Sequence, residues 1–390
     1  LLTEVQRQSE TKRDFVASTK EAVRMVPMPD FPKRVAIVLH KEGRGDLERF
    51  QVAENCHRQI AGRLGIPWKY YDRLLDDHPD LVLTQVNALF EREPETRLMR
   101  TLDGTARAFL SDRYRRLDHD EVLSQVLPPI IKGDVESTLL SSNVTDNNLY
   151  LKVLFTDDSL AVDLGATPSG RRDNGWGGEN VDVNEQHEII ARRDAGKDIV
   201  RPGCLISNSE TGHGSLSIKG FLFRSYCLNG CVWGMEDAFS FSRNHIGGKL
   251  IEGQNFEVFS DETKRKQDEV IIAEMTDALT TMTNPERVRA MGERLRALKS
   301  GEAVQDAFAA VDALAKEVDI REGEKQGILS SLLRDQDFTQ WGVLNAVTEQ
   351  ANAETVSYER ACEIEQLGNQ IAKLNAQRWH RIATAEKVAA

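Results

Sequence analysis

The chain has 390 residues, of which 40% are hydrophobic and 29% charged, and carries a formal charge of −12. That balance suits one large or two ordinary globular domains and excludes wholesale disorder. The negative charge argues against indiscriminate duplex-DNA binding, and apolar runs as short as Val35 to Leu39 fall far below the roughly 20 residues of a membrane helix.

The start, LLTEVQRQSETKRDF, lacks a basic segment leading into an apolar core, so no secretory signal and a cytoplasmic location are expected. From about Phe50 to Pro79 two short helices are expected, HRQIAGRLG and PWKYYDRLLDDHP. Ala61, Gly65 and Tyr71 have helix-turn-helix spacing, and Pro67 suits a first helical turn because its missing N–H costs nothing there. The second helix offers Lys69 and Arg73 but also Asp72, Asp76 and Asp77, so DNA reading and simple scaffolding both stay open. A further helix is expected over Asp80 to Phe90.

The segment Arg97 to Arg116, RLMRTLDGTARAFLSDRYRR, holds six arginines against Asp103 and Asp112. Read as a β-strand with period 2, Arg107, Phe109, Ser111, Arg113 and Arg115 share one face. Arginines neutralise phosphates and aromatic rings stack on bases, so the pattern points to single-stranded nucleic acid. Arg107, Arg113, Arg115 and Arg116 are the expected phosphate contacts, and Phe109 and Tyr114 the stacking residues. Tyr114 and Arg116 need a twist, loop or second strand to reach that face. A solvated outer sheet face is the plain alternative.

Beyond it, His119 to Ile131 is expected to be helical, with Val122, Leu123, Val126 and Leu127 in register and Pro128-Pro129 near its end. Leu149, Leu151, Val153 and Phe155 alternate as in a strand. Gly165 to Asn180, GATPSGRRDNGWGGEN, reads as a long loop in which Arg171, Arg172 and Trp176 either engage nucleic acid or only solubilise an insertion. Short strands are expected from Cys204 to Gly234, with Asn229-Gly230 as a hairpin turn. From Glu262 onward helical spacing dominates. Val270, Ile271, Met275, Ala278, Leu279 and Met282 form an apolar stripe on a helix from Asp261 to Met282, to be covered by the chain's own sheet or by a second copy.

The chemistry-bearing residues are few. Cys204, His213, Cys227 and Cys231 have donor types that suit zinc, but the spacing lacks a paired CxxC and no metal is assigned. The five cysteines, which also include Cys56 and Cys362, are scattered as reduced thiols are. Ser209, Glu210 and His213 are the ingredients of a hydrolase loop, with polar turn residues as the alternative. No GxxxxGK[ST] run is present, and no cofactor is expected.

Four ordered motifs, AENCHRQIAGRLGIPWKYYDRL, RTLDGTARAFLSDRYRRLDHDEVL, ISNSETGHGSLSIKGFLFRSYCLNG and WGVLNAVTEQA, resemble the phage and plasmid protein family catalogued as domain of unknown function 932. The resemblance covers about Ala53 to Ala376 and implies work inside a bacterial host, near replication or recombination, but carries over no catalytic residue. The expectation is an α+β protein with a mixed helical and antiparallel β core over 1–260 and a helical region over 261–390. Its expected function is ATP-independent single-stranded DNA binding or annealing, with a homo-oligomer as the sharper state and no membrane partner. Two alternatives stand beside it: a non-enzymatic protein that binds a host factor, and a hydrolase using the Ser209 to His213 loop.

Overall fold

The computed structural model describes residues 1–28, 31–40, 47–112, 114, 116–131, 135–166, 197–224, 229–231, 240–243, 261–353 and 355–385. The fold is α+β, with two mostly antiparallel sheets and a helical C-terminal region.

The first sheet contains β1 (Arg13–Ser18), β2 (Val23–Met28), β3 (Phe31–His40), β4 (Leu47–Val52), β5 (Thr96–Leu102) and β6 (Thr105–Ser111), in the order β1-β5-β6-β4-β3-β2. β4 and β6 pair in parallel, because three helices carry the chain across one face before β5 begins. These are α2 (Glu54–Arg63), α3 (Trp68–Asp77) and α4 (Pro79–Arg92). Gly65, at φ 67°, turns α2 into α3, as a residue without a Cβ can do at little cost. Ile60, Tyr71, Leu74, Val86 and Phe90 face Met25, Ile37, Phe50 and Met99 across this core. The outward side of α3 carries Asp72, Asp76 and Asp77 against Lys69 and Arg73, and Arg73 Nε lies 3.7 Å from Asp77. Three carboxylates against two cations leave that face with no net positive charge to offer a phosphate backbone.

The second sheet contains β7 (Ser137–Val144), β8 (Asn148–Phe155), β9 (Val162–Ala166), β10 (Lys197–Ser209), β11 (Leu216–Arg224), β12 (Asn229–Cys231) and β13 (Ser240–Arg243). The path runs β12-β11-β10-β8-β7, with β13 also on β11 and β9 also on β10. Strand alternation sends Leu151, Val153, Cys204, Ile206 and Ile218 into one core and Leu154, Leu205, Phe221 and Phe223 into another on the opposite face. The register pairs Arg224 with Asn229 and Phe223 with Gly230. Asn229-Gly230 therefore lies within β12 and is not the turn; the connection falls on 225–228, outside the described residues. The expected loop residues Arg171, Arg172 and Trp176 also lie outside them.

α1 (Leu2–Thr11) and α5 (His119–Ile131) join the core of the second sheet, as do the C-terminal helices. These are α6 (Asp261–Met282), α7 (Pro285–Lys299), α8 (Ala307–Glu317), α9 (Glu322–Asp335), α10 (Gln340–Glu349), α11 (Tyr358–Ala372) and α12 (Ala376–Ala383). Their starts are set by capping side chains: Asn284 accepts from the backbone N–H groups of Glu286 and Arg287, and Ser357 accepts from that of Arg360. The α6 stripe is covered by the chain itself. Ile271, Met275, Leu279 and Met282 are buried in the same core as the sheet, whereas Val270 is 49% exposed. The apolar surface that motivated self-association is thus already consumed.

Candidate functional site

Regular alternation fails at Arg107. The β5–β6 register passes from Arg100 opposite Ala108 to Thr101 opposite Ala106, which leaves Arg107 as the extra residue of a bulge. Arg107 and Phe109 consequently part company. Phe109 enters the helix-side core and stacks on Phe90 at 5.7 Å, while its backbone N–H donates to the Gln59 side chain at 2.7 Å. Arg107 turns to the other side of the sheet, where its Nη2 donates to Glu210 at 2.5 Å and Nη1 donates to the carbonyl of Asp146. Both are buried, which corrects the expectation of one exposed Arg and Phe face.

Arg107 belongs to a buried charge network between the two sheets. Arg100, with no exposed surface, donates to Asp14 at 3.0 Å, to Asp118 at 2.5 Å and to the carbonyl of Glu210 at 3.0 Å. Lys12 Nζ lies 2.7 Å from Asp118, 3.0 Å from Asp120 and 3.4 Å from Glu210. Arg116 Nη1 reaches Asp14 at 3.4 Å, and the Tyr114 hydroxyl donates to the carbonyl of Ser209 at 3.0 Å. Of the six expected nucleic-acid residues, four are engaged in this way within the protein. Arg113 and Arg115 lie outside the described residues.

Burial pushes the Glu210 carboxyl up, but the surrounding His119, Arg100, Arg107 and Lys12 more than reverse this and hold it well below the usual carboxylate range. Burial lowers His119 to about 4 against the pull of Glu210, so at neutral pH the positive charge comes from the two arginines and Lys12. The carboxylates of Asp118, Asp120 and Glu210 come within 4.8 Å of one another, a spacing that suits a cation. The Lys12 ammonium already stands against all three and supplies that charge.

The β10–β11 hairpin tip carries the SETGHG run into this junction. Asn55 and Gln59 of α2 donate to the carbonyl of Thr211 at 3.3 and 2.7 Å. Ser209 Oγ donates to the carbonyl of Asn147 at 3.4 Å and accepts from the backbone N–H of His213 at 3.2 Å. Ser209 thus braces the tip, Glu210 enters the ion network and His213 is exposed, so the three expected hydrolase side chains serve separate ends. Cys204 is fully buried, its thiol pushed up to about 12 by burial, and it lies in the core away from His213. Cys227 lies outside the described residues.

Two hollows border these elements. One, of about 680 Å³, is lined by Ser18, Glu95, Thr96, Arg97, Ser111 and Asp112. Glu95 there accepts from both Arg63 and Arg97, while Asp112 accepts from the Ser111 hydroxyl at 3.4 Å. The other, of about 360 Å³, lies between the second sheet and α11. Tyr150, Leu205, Ser207 and Lys219 form its floor, Glu359, Cys362, Glu363 and Gln366 its wall, and Asn147, Asn148 and His213 its rim. Alternation places the floor residues on one sheet face, and the i, i+3, i+4, i+7 spacing places the wall residues on one side of α11. Beneath them Lys152 Nζ pairs with Glu365 at 2.7 Å and sits 5.3 Å from the centre of the Tyr358 ring.

This cleft differs from the charge network in having a polar group to spare. Among the described residues, Asn147 Oδ1 is buried without a hydrogen-bond partner, while the half-buried Tyr150 and the exposed His213 also line the cleft. Sequence reasoning singled out only His213 of these. Asn147 lies in the turn before β8 and Tyr150 on β8, while the rest of the cleft comes from β10, β11 and α11, so no local spacing announces it.

Residues 180–379 match the model of a family described as domain of unknown function (DUF932), and the chain belongs to that family. The match spans β10 to β13 and the helical region, including β10, β11 and α11 of the cleft. Neither the curated proteins nor the solved structures returned a match.

Proposed function

We propose that the protein acts by binding rather than by catalysis, and that its recognition site is the cleft between β8, β10, β11 and α11. The observation that carries this reading is the buried Asn147 Oδ1, which has no hydrogen-bond partner, in a cleft also lined by the Tyr150 and His213 side chains. A concave site with a few convergent polar groups is the usual form of a ligand pocket. Catalysis gains no support from the cleft's one thiol, because burial pushes Cys362 up to about 12 and keeps it protonated. Calorimetric titration of the parent and of Asn147→Ala with small polar ligands tests the reading. Saturable binding lost in the variant supports it, and binding unaffected by the substitution contradicts it.

A second reading is single-stranded DNA binding or annealing in a phage or plasmid setting. It now rests on Arg113 and Arg115, which flank Tyr114 in the sequence between β6 and α5. The proposed setting for both readings is the cytoplasm of a bacterial host. Fluorescence anisotropy with a labelled oligonucleotide separates them: a salt-sensitive rise lost in the Arg113→Ala, Arg115→Ala double variant favours the second.

A further inference from the structure

We infer that the cleft takes a short peptide of two or three residues, its free carboxylate against Lys219 and its ammonium against Glu359; this rests on the cleft being the recognition site. Two charges in the cleft lack a counter-ion among the described residues. Lys219 Nζ donates to the Gln366 side-chain oxygen at 3.1 Å and has no carboxylate partner. Glu359 accepts from the Asn148 amide at 2.8 Å and has no cationic partner. Their neighbours are compensated: Glu363 lies 2.9 Å from Arg360 and 3.5 Å from Arg321, and Lys152 pairs with Glu365. Glu359 is exposed at the mouth of the cleft and Lys219 is half-buried, so water reaches both, and a ligand that carries both signs matches the two ends of the cleft by charge complementarity.

The spacing of the two charges narrows the ligand further. Glu359 and Gln366, the partner of Lys219, are two turns apart on α11, about 10 Å along its axis at ~1.5 Å per residue. A single amino acid carries its ammonium and carboxylate on one carbon and does not reach both ends. A di- or tripeptide places them at opposite ends of an extended chain at roughly 3.3–3.6 Å per residue. Between its ends it presents amide N–H and C=O groups. The Asn147 side chain offers the matching acceptor and donor, and the Tyr150 hydroxyl offers a further one of each. A polynucleotide or phosphate meets one free cation beside two carboxylates, and a nucleoside leaves both charges unpaired.

Isothermal titration of the full chain with trialanine, trialanine amide, N-acetyl-trialanine, adenosine and inorganic phosphate tests the inference. Trialanine is expected to bind, and blocking either end to weaken it about tenfold or more, as loss of a charge-assisted hydrogen bond does. Lys219→Met is expected to abolish the preference for free acid over amide, and Glu359→Gln the preference for free amine over acetyl. If either variant fails to fold, the blocked peptides on the parent protein decide. Equal binding of free and blocked peptides overturns the inference. So does binding of adenosine or phosphate alone; if that binding is sensitive to Asn147→Ala, it leaves the cleft as a recognition site of another class. Binding of none of the five overturns the inference and leaves the recognition reading to the Asn147→Ala titration.

Discussion

Arg107 Nη2 lies 2.5 Å from Glu210 Oε2, with both side chains 2% exposed, although 103 residues separate them in the chain. The pair joins the bulge of β6 to the tip of the β10–β11 hairpin and so ties the first sheet to the second. Removing one partner leaves a buried charge without compensation. Arg107→Ala is therefore expected to cost about 3–5 kcal/mol of unfolding free energy, measured by urea denaturation at pH 7. A cost below about 1 kcal/mol, typical of an exposed ion pair, contradicts the structural role assigned to Arg107.

Acid should weaken the fold in a defined window. Burial depresses both His57 and His119 to about 4, against an ordinary value of 6.5. The unfolded chain binds protons that the folded chain refuses between those values, so stability is full above pH 6.5 and falls as pH drops toward 4. Each histidine contributes on the order of 3 kcal/mol to that fall. The depressed Glu210 carboxyl adds a loss of the same sign below the ordinary carboxylate range. Urea unfolding at stepped pH is expected to show a smaller decline between 6.5 and 4 in His119→Asn than in the parent, and an equal decline contradicts the assignment of His119.

The α6 stripe gives a contrast between neighbours. Ile271→Glu buries a carboxylate in the shared core and is expected to lower the melting temperature by many degrees, whereas Val270→Glu, at a half-exposed position, leaves it within a few degrees of the parent. Light scattering on both checks the alternative: a folded Ile271→Glu variant of smaller mass than the parent shows that a second copy, and not the sheet, covers the stripe.

What the sequence revealed and what it hid follow from the range of the forces involved. The helix from Asp261 to Met282, the helical hairpin around Gly65 and Pro67, and the α+β class all rest on local periodicity and turn chemistry, which neighbouring residues specify. The side of β6 that Arg107 takes does not. Alternation assumes an unbroken ladder, and the bulge opposite Arg100 and Thr101 exists only once β5 and β6 are paired. The partner that neutralises Arg107 comes from a distant hairpin, so an arginine-rich strand resembles a polyanion site until Glu210 is in place. Asn229-Gly230 has the composition of a turn, yet pairing with β11 makes it strand. The cleft was hidden for the same reason, since Tyr150, Lys219 and Glu359 meet only through sheet and helix packing.

Gly212 tests the junction from its backbone. It sits at φ 79°, and a Cβ there would lie 2.7 Å from Leu110 Cδ2. Gly212→Ala is expected to cost more than about 1 kcal/mol, through positive-φ strain and contact with the Leu110 side chain. A melting temperature equal to the parent's contradicts the docking of the hairpin tip on β6.

Hydrogen–deuterium exchange on the full chain, with trialanine in one series and a labelled oligonucleotide in another, tests the central claim most directly. The account predicts that trialanine slows exchange in peptides covering 147–150, 205–219 and 358–366 and that neither ligand changes exchange over 107–116. Protection of 107–116 by the oligonucleotide, with the cleft peptides unchanged by trialanine, contradicts it.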